Sequence, residues 1–523
     1  MSGSATADRR VVIIGAGMGG LAAAIDLAAR GVTVEVVDAQ AAPGGKMRQV
    51  PAGETQVDSG PTVFTMRWVF DELLATATTR LEDHVSLTPL SVLARHAWDY
   101  GDRGQMLDLF ADPNRTEEAI GAFAGAAEAR RFRAFRAEAA RIYDLLDTTF
   151  IRASRPTMPE LVRRGGLRMA GVQPFTTLWA LLGKSFQDPR LRQLFGRYAT
   201  YCGSSPFLAT ATLMLVVHVE LNGVWSVDGG MHALARALAG VAESRGATLR
   251  YGHRVTTIEV QGGRASAVIL DNGERLAADA IVVNADVNAL ASGAFGPAVA
   301  NAVPGVPSKA RSLSALTWTM TARTEGFPLS HHTVFFGPDY PGEFRTIFDR
   351  HRLPVDPTVY ICAQDRRDGP DPSPSLTSPG GERLLLLVNA PPVGDTNTPA
   401  LAPAEIDACQ DRTFALLDRC GLRIQPDPGS VTATSPRTFN ALFPATGGAL
   451  YGRASHGWQA SFSRPGARSR IPGLYLAGGS VHPGPGVPMA ALSGRQAASS
   501  ILTDLASTSR FRPVAMRGGM STG

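Results

Sequence analysis

Residues 11–14 are an unbroken apolar run, the next six positions carry four glycines, and residues 21–30 regain apolar positions at helical spacing. That pattern predicts a buried strand, a tight turn and a helix. Gly31 ends the helix, and a second apolar strand over residues 32–37 closes on Asp38. Residues 71–220 read as mainly helical. Within them, residues 124–146 carry Arg130, Arg131, Arg133, Arg136 and Arg141 against an apolar stripe. This is the pattern of a solvated polar face or of a helix lying on a membrane surface. Residues 169–219 are dense in apolar side chains, as in a core or the wall of a tunnel. A helix over residues 232–245 precedes strands at 248–251, 255–260 and 265–270. Asp271-Asn272-Gly273-Glu274 is a hairpin turn, and residues 280–285 read as a buried strand. Residues 300–437 are richer in strands, at 316–321, 333–336, 358–363 and 384–389, with a polar loop expected over 365–381. A last strand reaches Gly478-Gly479, a proline- and glycine-rich start leads into a helix running to about residue 502, and residues 508–523 read as a tail.

The first strand, turn and helix form a dinucleotide-binding motif. Gly15 permits the tight turn, Gly17 lets the backbone approach a pyrophosphate, and Gly20 lets the helix pack closely, while the helix N-terminus offers N–H groups to phosphate. Asp38, 23 positions after Gly15, is placed to accept a ribose hydroxyl. The run 11–29 is nearly uncharged, as a signal peptide or membrane helix is, but its glycines and Asp26 argue against both. Gly44-Gly45-Lys46 supplies a second glycine pair with a basic residue. Flavoproteins of the glutathione-reductase-like class use such a turn to wrap the remainder of FAD. In that class the backbone near a residue placed like Val255 meets the adenine. The helix start over Gly478, Gly479, Val487 and Met489 offers N–H donors to an anionic ring edge, which suits the isoalloxazine.

Composition narrows the class. At 523 residues, 44% hydrophobic and 19% charged, the chain is a multidomain globular protein rather than a disordered or repeat one. Its net charge is +5 and its isoelectric point is near 9.2. Arginine carries almost all of that basicity, and no basic cluster is interleaved with aromatics, so nucleic acid is not an expected partner. The widely spaced Cys202, Cys362, Cys409 and Cys420 form no CxxC pair. No metal site or disulfide framework is expected, and a reduced cytoplasmic setting fits.

Along nearly its whole length the chain resembles the phytoene desaturase family of bacterial carotenoid flavoenzymes. The motifs that carry this are residues 15–20, Gly44-Gly45-Lys46, residues 58–62, Gly223-Val224-Trp225, Asp228-Gly229-Gly230, residues 331–336, Asp339-Tyr340, Glu343-Phe344, residues 356–360, Asn389-Ala390-Pro391 and residues 478–490. Residues 65–71, Met231 and residues 451–458 look like the branch acting on hydroxylated or methoxylated acyclic carotenoids. The resemblance implies an α/β fold, with a glutathione-reductase-like FAD-binding Rossmann domain (residues 1–90, 223–300 and 450–507). An inserted α+β substrate-binding, membrane-facing domain would span residues 91–222 and 301–449. It implies FAD, an acyclic carotenoid substrate, an electron acceptor of unidentified chemistry, and peripheral attachment to the inner membrane from the cytoplasm.

The implied reaction forms the C-3,4 double bond of a 1-hydroxy or 1-methoxy carotenoid, with hydride passing to flavin N5 and a proton lost from the neighbouring carbon. Little acid or base chemistry is needed, and no nucleophile, carboxylate pair or metal cluster stands out. The catalytic residues are therefore unassigned. His331-His332 is the most suggestive polar pair, a hydroxyl ligand or base on one reading and a strand start on the other. His482 raises a covalent flavin link and Lys309 a flavin-facing lysine; an ordinary structural role is the simpler reading of each. Phytoene desaturation, amine oxidation, redox-neutral carotenoid isomerisation and non-enzymatic isoprenoid carriage are the alternatives on this scaffold.

Overall fold

The computed structural model describes residues 9–99, 105–154, 172–366 and 381–509, together with scattered positions between 156 and 166. Most of the loop expected over 365–381, the start of the apolar stretch 169–219 and nearly all of the tail 508–523 lie outside the described residues.

A five-stranded parallel sheet holds the glycine motif. Its order is Leu474–Leu476, Ala280–Val283, Arg10–Ile14, Thr33–Asp38 and Thr248–Tyr251. The strands come from separated stretches of sequence. Val11, Val12 and Ile13 are fully buried, as the middle strand of a sheet covered on both faces must be. The helix Met18–Ala28 is buried at every position and packs on the C-terminal helix Val487–Ser509. Their approach is so close that a Cβ on Gly494 would stand 2.0 Å from the Gly19 carbonyl oxygen. Strands Val255–Gln261, Arg264–Leu270 and Arg275–Ala277 form a separate antiparallel sheet with the expected hairpin turn.

The larger sheet has eight strands and is built around Ser314–Gly326, buried from Ser314 to Ala322. Period-two alternation divides its faces: Val334 and Phe336 join one core, Phe335 another. Two expectations change here. Val92–Trp98 and Gln105–Phe110, inside the stretch read as helical, are strands of this sheet, and Val92–Trp98 runs parallel to His332–Phe336. Trp98 and Ala97 are both fully buried, so the strand lacks the one-sided alternation that marks a surface strand. Conversely, Pro403–Arg419 in the strand-rich stretch is a helix whose Cys409, Leu416 and Leu417 cover one sheet face.

The arginine-bearing helix is Ala126–Leu146, separated from Pro113–Ala124 by Gly125 at φ 95°. Its stripe, Phe132, Phe135, Ala139 and Ile142, is buried in the core with Phe186 and Phe195. Arg133 pairs with Glu117 and Arg141 with Glu138. The solvated-face reading therefore holds, and the apolar stripe is not available to a membrane.

Candidate functional site

One cavity of about 930 Å³ runs from the glycine motif into the helical region. Gly15, Gly17, Asp38, Gly44, Gly45, Lys46, Val255, Gly478, Gly479, Val487 and Met489 all line it. Gly20 does not. A Cβ there would stand 2.0 Å from the Gly15 carbonyl oxygen, so its missing side chain is what lets the turn close onto the helix.

The glycine turns are tied to one another. Gly44 N–H donates to the Ala16 carbonyl (2.9 Å) and Gly15 N–H to that of Val37 (2.8 Å). Asp38 accepts from the backbone N–H groups of Ala16 (2.6 Å) and Gln40 (2.7 Å). Burial raises its carboxyl above the ordinary aspartate range, and these two bonds oppose the rise. At the far end, Asn284 follows the buried strand Ala280–Val283, and its amide donates to the Gly15 carbonyl (3.1 Å). A Cβ on Gly19 would meet Asn284 Oδ1 at 2.6 Å and Gly478 N at 2.7 Å. The N-terminal and C-terminal glycine turns thus abut.

Lys46 is enclosed. Its ammonium donates to the Leu450 carbonyl (2.6 Å) and sits 5.3 Å from the Phe443 ring centroid. Burial lowers its pKa, and the Asp286 carboxylate opposes that. Arg464, which the sequence reading did not single out, also lines the cavity. It donates to the carbonyls of Gly479 (3.0 Å), Tyr451 (3.1 Å) and Arg453, and burial brings its pKa down to about 10.

The tempting histidines stand back from the cavity. His331 Nδ1 faces the Arg366 carbonyl (3.0 Å), and His332 Nδ1 is 2.7 Å from the Tyr360 hydroxyl, itself 2.6 Å from Thr62 Oγ1. Only Tyr360 and Thr62 of that chain reach the lining. Strand pairing of His332 with Cys362 brings ligand atoms of His331, His332 and Cys362 within 4.8 Å of one another, a grouping that their sequence positions do not suggest. His482 turns its Nε2 to the Phe150 carbonyl (3.0 Å). Lys309 is exposed and lies outside the lining.

Beyond the glycine turns the walls are mainly aliphatic and aromatic, with Val63, Leu146, Phe150, Leu213 and Val216 among them. Behind Thr358 and Asn389, which line the cavity, lies Glu343. It accepts from Thr358 N–H (3.2 Å), Thr358 Oγ1 (2.6 Å) and Asn389 Nδ2 (2.8 Å). Burial outweighs these bonds and lifts its pKa from 4.5 to about 7. The folded protein then holds this proton at pH values where the unfolded chain has released it. The stabilisation is complete below the unfolded value and disappears as pH rises through the folded one. Glu343 by itself is expected to withdraw roughly 3 kcal/mol of stability as pH rises from about 4.5 to 7, read as the pH-dependent difference between the wild type and Glu343→Gln, because the buried His456 and His482, both held down to about 4, titrate with the opposite sign in the same range.

The cradle fits the dinucleotide that the sequence leads one to expect. Backbone turns without side chains face the space, and an added Cβ at Gly17 would stand 2.9 Å from the Asn284 amide nitrogen. Asp286 Oδ2 and Arg48 Nε are buried polar atoms without a hydrogen-bond partner among the described residues, and both residues line the cavity.

Residues 18–502 match the family model of flavin containing amine oxidoreductases. The hydroxyneurosporene desaturase of Rubrivivax gelatinosus is 53% identical over 98% of this chain and 97% of its own. The phytoene dehydrogenase of Streptomyces griseus is 31% identical over 94% of both chains. Among solved structures, putrescine oxidase bound to putrescine superposes with a TM-score of 0.59 at 15% identity, over 95% of this chain and 99% of that one, which shows a shared fold. The chain belongs to the flavin containing amine oxidoreductase family and groups within it with the hydroxyneurosporene desaturases.

Proposed function

We propose that this chain is an FAD-dependent desaturase that introduces the C-3,4 double bond of 1-hydroxy or 1-methoxy acyclic carotenoids. The observation that carries the reading is the single cavity, which joins a dinucleotide cradle to apolar walls suited to a long hydrocarbon. The much higher identity to the hydroxyneurosporene desaturase than to the phytoene dehydrogenase favours the oxygenated substrate over phytoene.

Residues 1–90, 223–300 and 450–507 would form the cofactor domain, and residues 91–222 and 301–449 the substrate domain. Gly15, Gly17 and the start of Met18–Ala28 would receive the pyrophosphate, with Asp38 and Val255 at the adenosine end. Gly20 supports that turn from behind. Gly44, Gly45 and Lys46 would hold the middle of the cofactor, and Gly478, Gly479, Val487 and Met489 its ring. Bound FAD supplies the hydride acceptor for dehydrogenation beside a polyene, and a separate electron acceptor restores it. The chain's own contribution is placement: its apolar walls orient the polyene and exclude water.

Among the described residues, no helix is long and apolar enough to cross a membrane. Phe175 (79% exposed), Leu208 (47%) and Trp458 (37%) stand together at the cavity rim. The Phe175 and Trp458 rings are 5.7 Å apart, Gly457 N–H donates to the Leu208 carbonyl, and Trp458 reaches the lining. This patch would dock on the cytoplasmic face of the inner membrane and draw substrate from it. The protein is expected to float with liposomes, and Phe175→Ser with Trp458→Ser to weaken that binding roughly 100-fold without loss of flavin. Flotation unchanged by the double substitution would place the contact elsewhere.

The test of function is incubation of FAD-loaded protein with liposomes holding either phytoene or a 1-hydroxylated acyclic carotenoid. A red shift by one conjugated bond with the hydroxylated substrate alone is expected. Stepwise desaturation of phytoene would overturn the substrate assignment.

A further inference from the structure

A charged group sits in the cavity wall where a hydrocarbon alone would need none. Arg197 and Glu220 are 4% and 3% exposed, and both line the cavity with Thr200 and Tyr201. Tyr201 bridges them. Its hydroxyl accepts from Arg197 Nη2 (3.0 Å) and donates to Glu220 Oε2 (2.7 Å). Tyr198, fully buried behind, donates its hydroxyl to Glu220 Oε1 (2.5 Å). Burying such a pair costs several kcal/mol per ion before its hydrogen bonds are counted. An apolar replacement would serve a pure polyene equally well.

The donor count defines what this wall offers. Tyr198 and Tyr201 spend their only hydroxyl protons on Glu220, and Thr200 spends its own on the Arg197 carbonyl (2.7 Å). The polar oxygens left facing the cavity are lone pairs. A ligand group that pairs with them must donate, while Arg197, whose Nε has no hydrogen-bond partner among the described residues, keeps an N–H to offer in the same wall.

We propose that Tyr201 and Glu220 form the subsite for the terminal hydroxyl of the substrate, which donates its proton to an oxygen of this pair, while Arg197 beside them in the wall balances the carboxylate. The inference rests on the desaturase reading given above and sharpens it. A 1-hydroxy chain can donate; a 1-methoxy chain can only accept, and an unoxygenated chain can do neither. A hydroxyl can meet both the lone pairs and the Arg197 N–H, its methyl ether only the latter, so the wall favours the hydroxyl. Arg197 also acts beyond its direct partner, since its charge helps burial hold the His332 imidazole well below the usual histidine range.

The experiment uses the full-length, FAD-loaded protein in liposomes with three chains that differ only at C-1: hydroxy, methoxy and unoxygenated. Both kcat/KM and binding, read as quenching of flavin fluorescence, are measured. The wild type is expected to prefer the hydroxy chain by roughly 10- to 100-fold, mostly through KM. Tyr201→Phe and Glu220→Gln should each reduce that preference to a few-fold with flavin content unchanged. Equal treatment of hydroxy and methoxy chains by the wild type would overturn the subsite, as would a preference that survives in either variant when that variant is folded and flavin-loaded. If none of the three chains is converted, the desaturase reading fails. The binding arm then decides the subsite alone: preferential binding lost in Tyr201→Phe upholds it, and equal binding refutes it.

Discussion

Gly20→Ala is expected to yield folded protein that has lost its yellow colour. The added Cβ would stand 2.0 Å from the Gly15 carbonyl oxygen, and that neighbour is backbone, which has no side-chain rotamer to yield. The turn must open, and the N–H groups at the start of Met18–Ala28 lose their common aim. Overpacking of this kind costs about 1–3 kcal/mol, so flavin affinity should fall roughly 10- to 100-fold or more. Gly240→Ala is the matched control. That glycine lies exposed in the helix Met231–Ser244 with no atom within 4 Å of the added Cβ. Its replacement should retain flavin and stabilise the helix by about 0.5–1 kcal/mol. Flavin titration of the two variants compares them directly, and a Gly20→Ala protein with undiminished affinity would remove the glycine motif from the cofactor site.

Arg464→Leu is the second large effect. This one guanidinium holds the carbonyls of Gly479, Tyr451 and Arg453, so it braces the C-terminal glycine turn against the chain segment running beside it. Leucine fills much of the volume but leaves buried carbonyls without donors. The expected loss is about 3–5 kcal/mol, with weaker flavin retention because Gly478 and Gly479 lose their support. Urea titration followed by flavin fluorescence measures both together. A midpoint equal to that of the wild type would mean that water or a backbone shift satisfies those carbonyls.

The contrast between these two positions shows what was legible in the sequence. Gly15, Gly17 and Gly20 lie in one local strand–turn–helix, and Asp38 follows at a spacing set by a single helix and strand. Local pattern is enough to find them. Gly44-Gly45-Lys46 and the Gly478–Met489 start are likewise short runs with their own backbone logic. Arg464 gives no such signal, because its partners include Gly479 and two carbonyls from an irregular stretch whose course only the fold defines. Asn284 is similar: it is one polar residue after a buried strand, and its role depends on Gly15 and Gly478 arriving from either end of the chain. The strand Val92–Trp98 was hidden for the same reason. It is buried on both faces, and while Gln105–Phe110 pairs with it locally, its other partner, His332–Phe336, is far away in sequence. Tyr201 lies within, and Glu220 directly after, the apolar stretch 169–219, where the bulk of leucine and valine masks two polar positions. His331 and His332 are conspicuous as a pair in sequence, yet neither lines the cavity: His331 Nδ1 faces the Arg366 carbonyl and His332 Nδ1 the Tyr360 hydroxyl.

Desaturation by the bound flavin is tested by a single turnover without oxygen or any other electron acceptor. FAD-loaded protein is mixed with excess 1-hydroxylated acyclic carotenoid, quenched with acid, and the pigments are separated and weighed by mass spectrometry. The desaturase account predicts about one equivalent of product per flavin, lighter by two hydrogens and longer by one conjugated double bond, with no further turnover until an acceptor is added. Recovery of carotenoid of unchanged mass with altered double-bond geometry would contradict it and make the protein an isomerase.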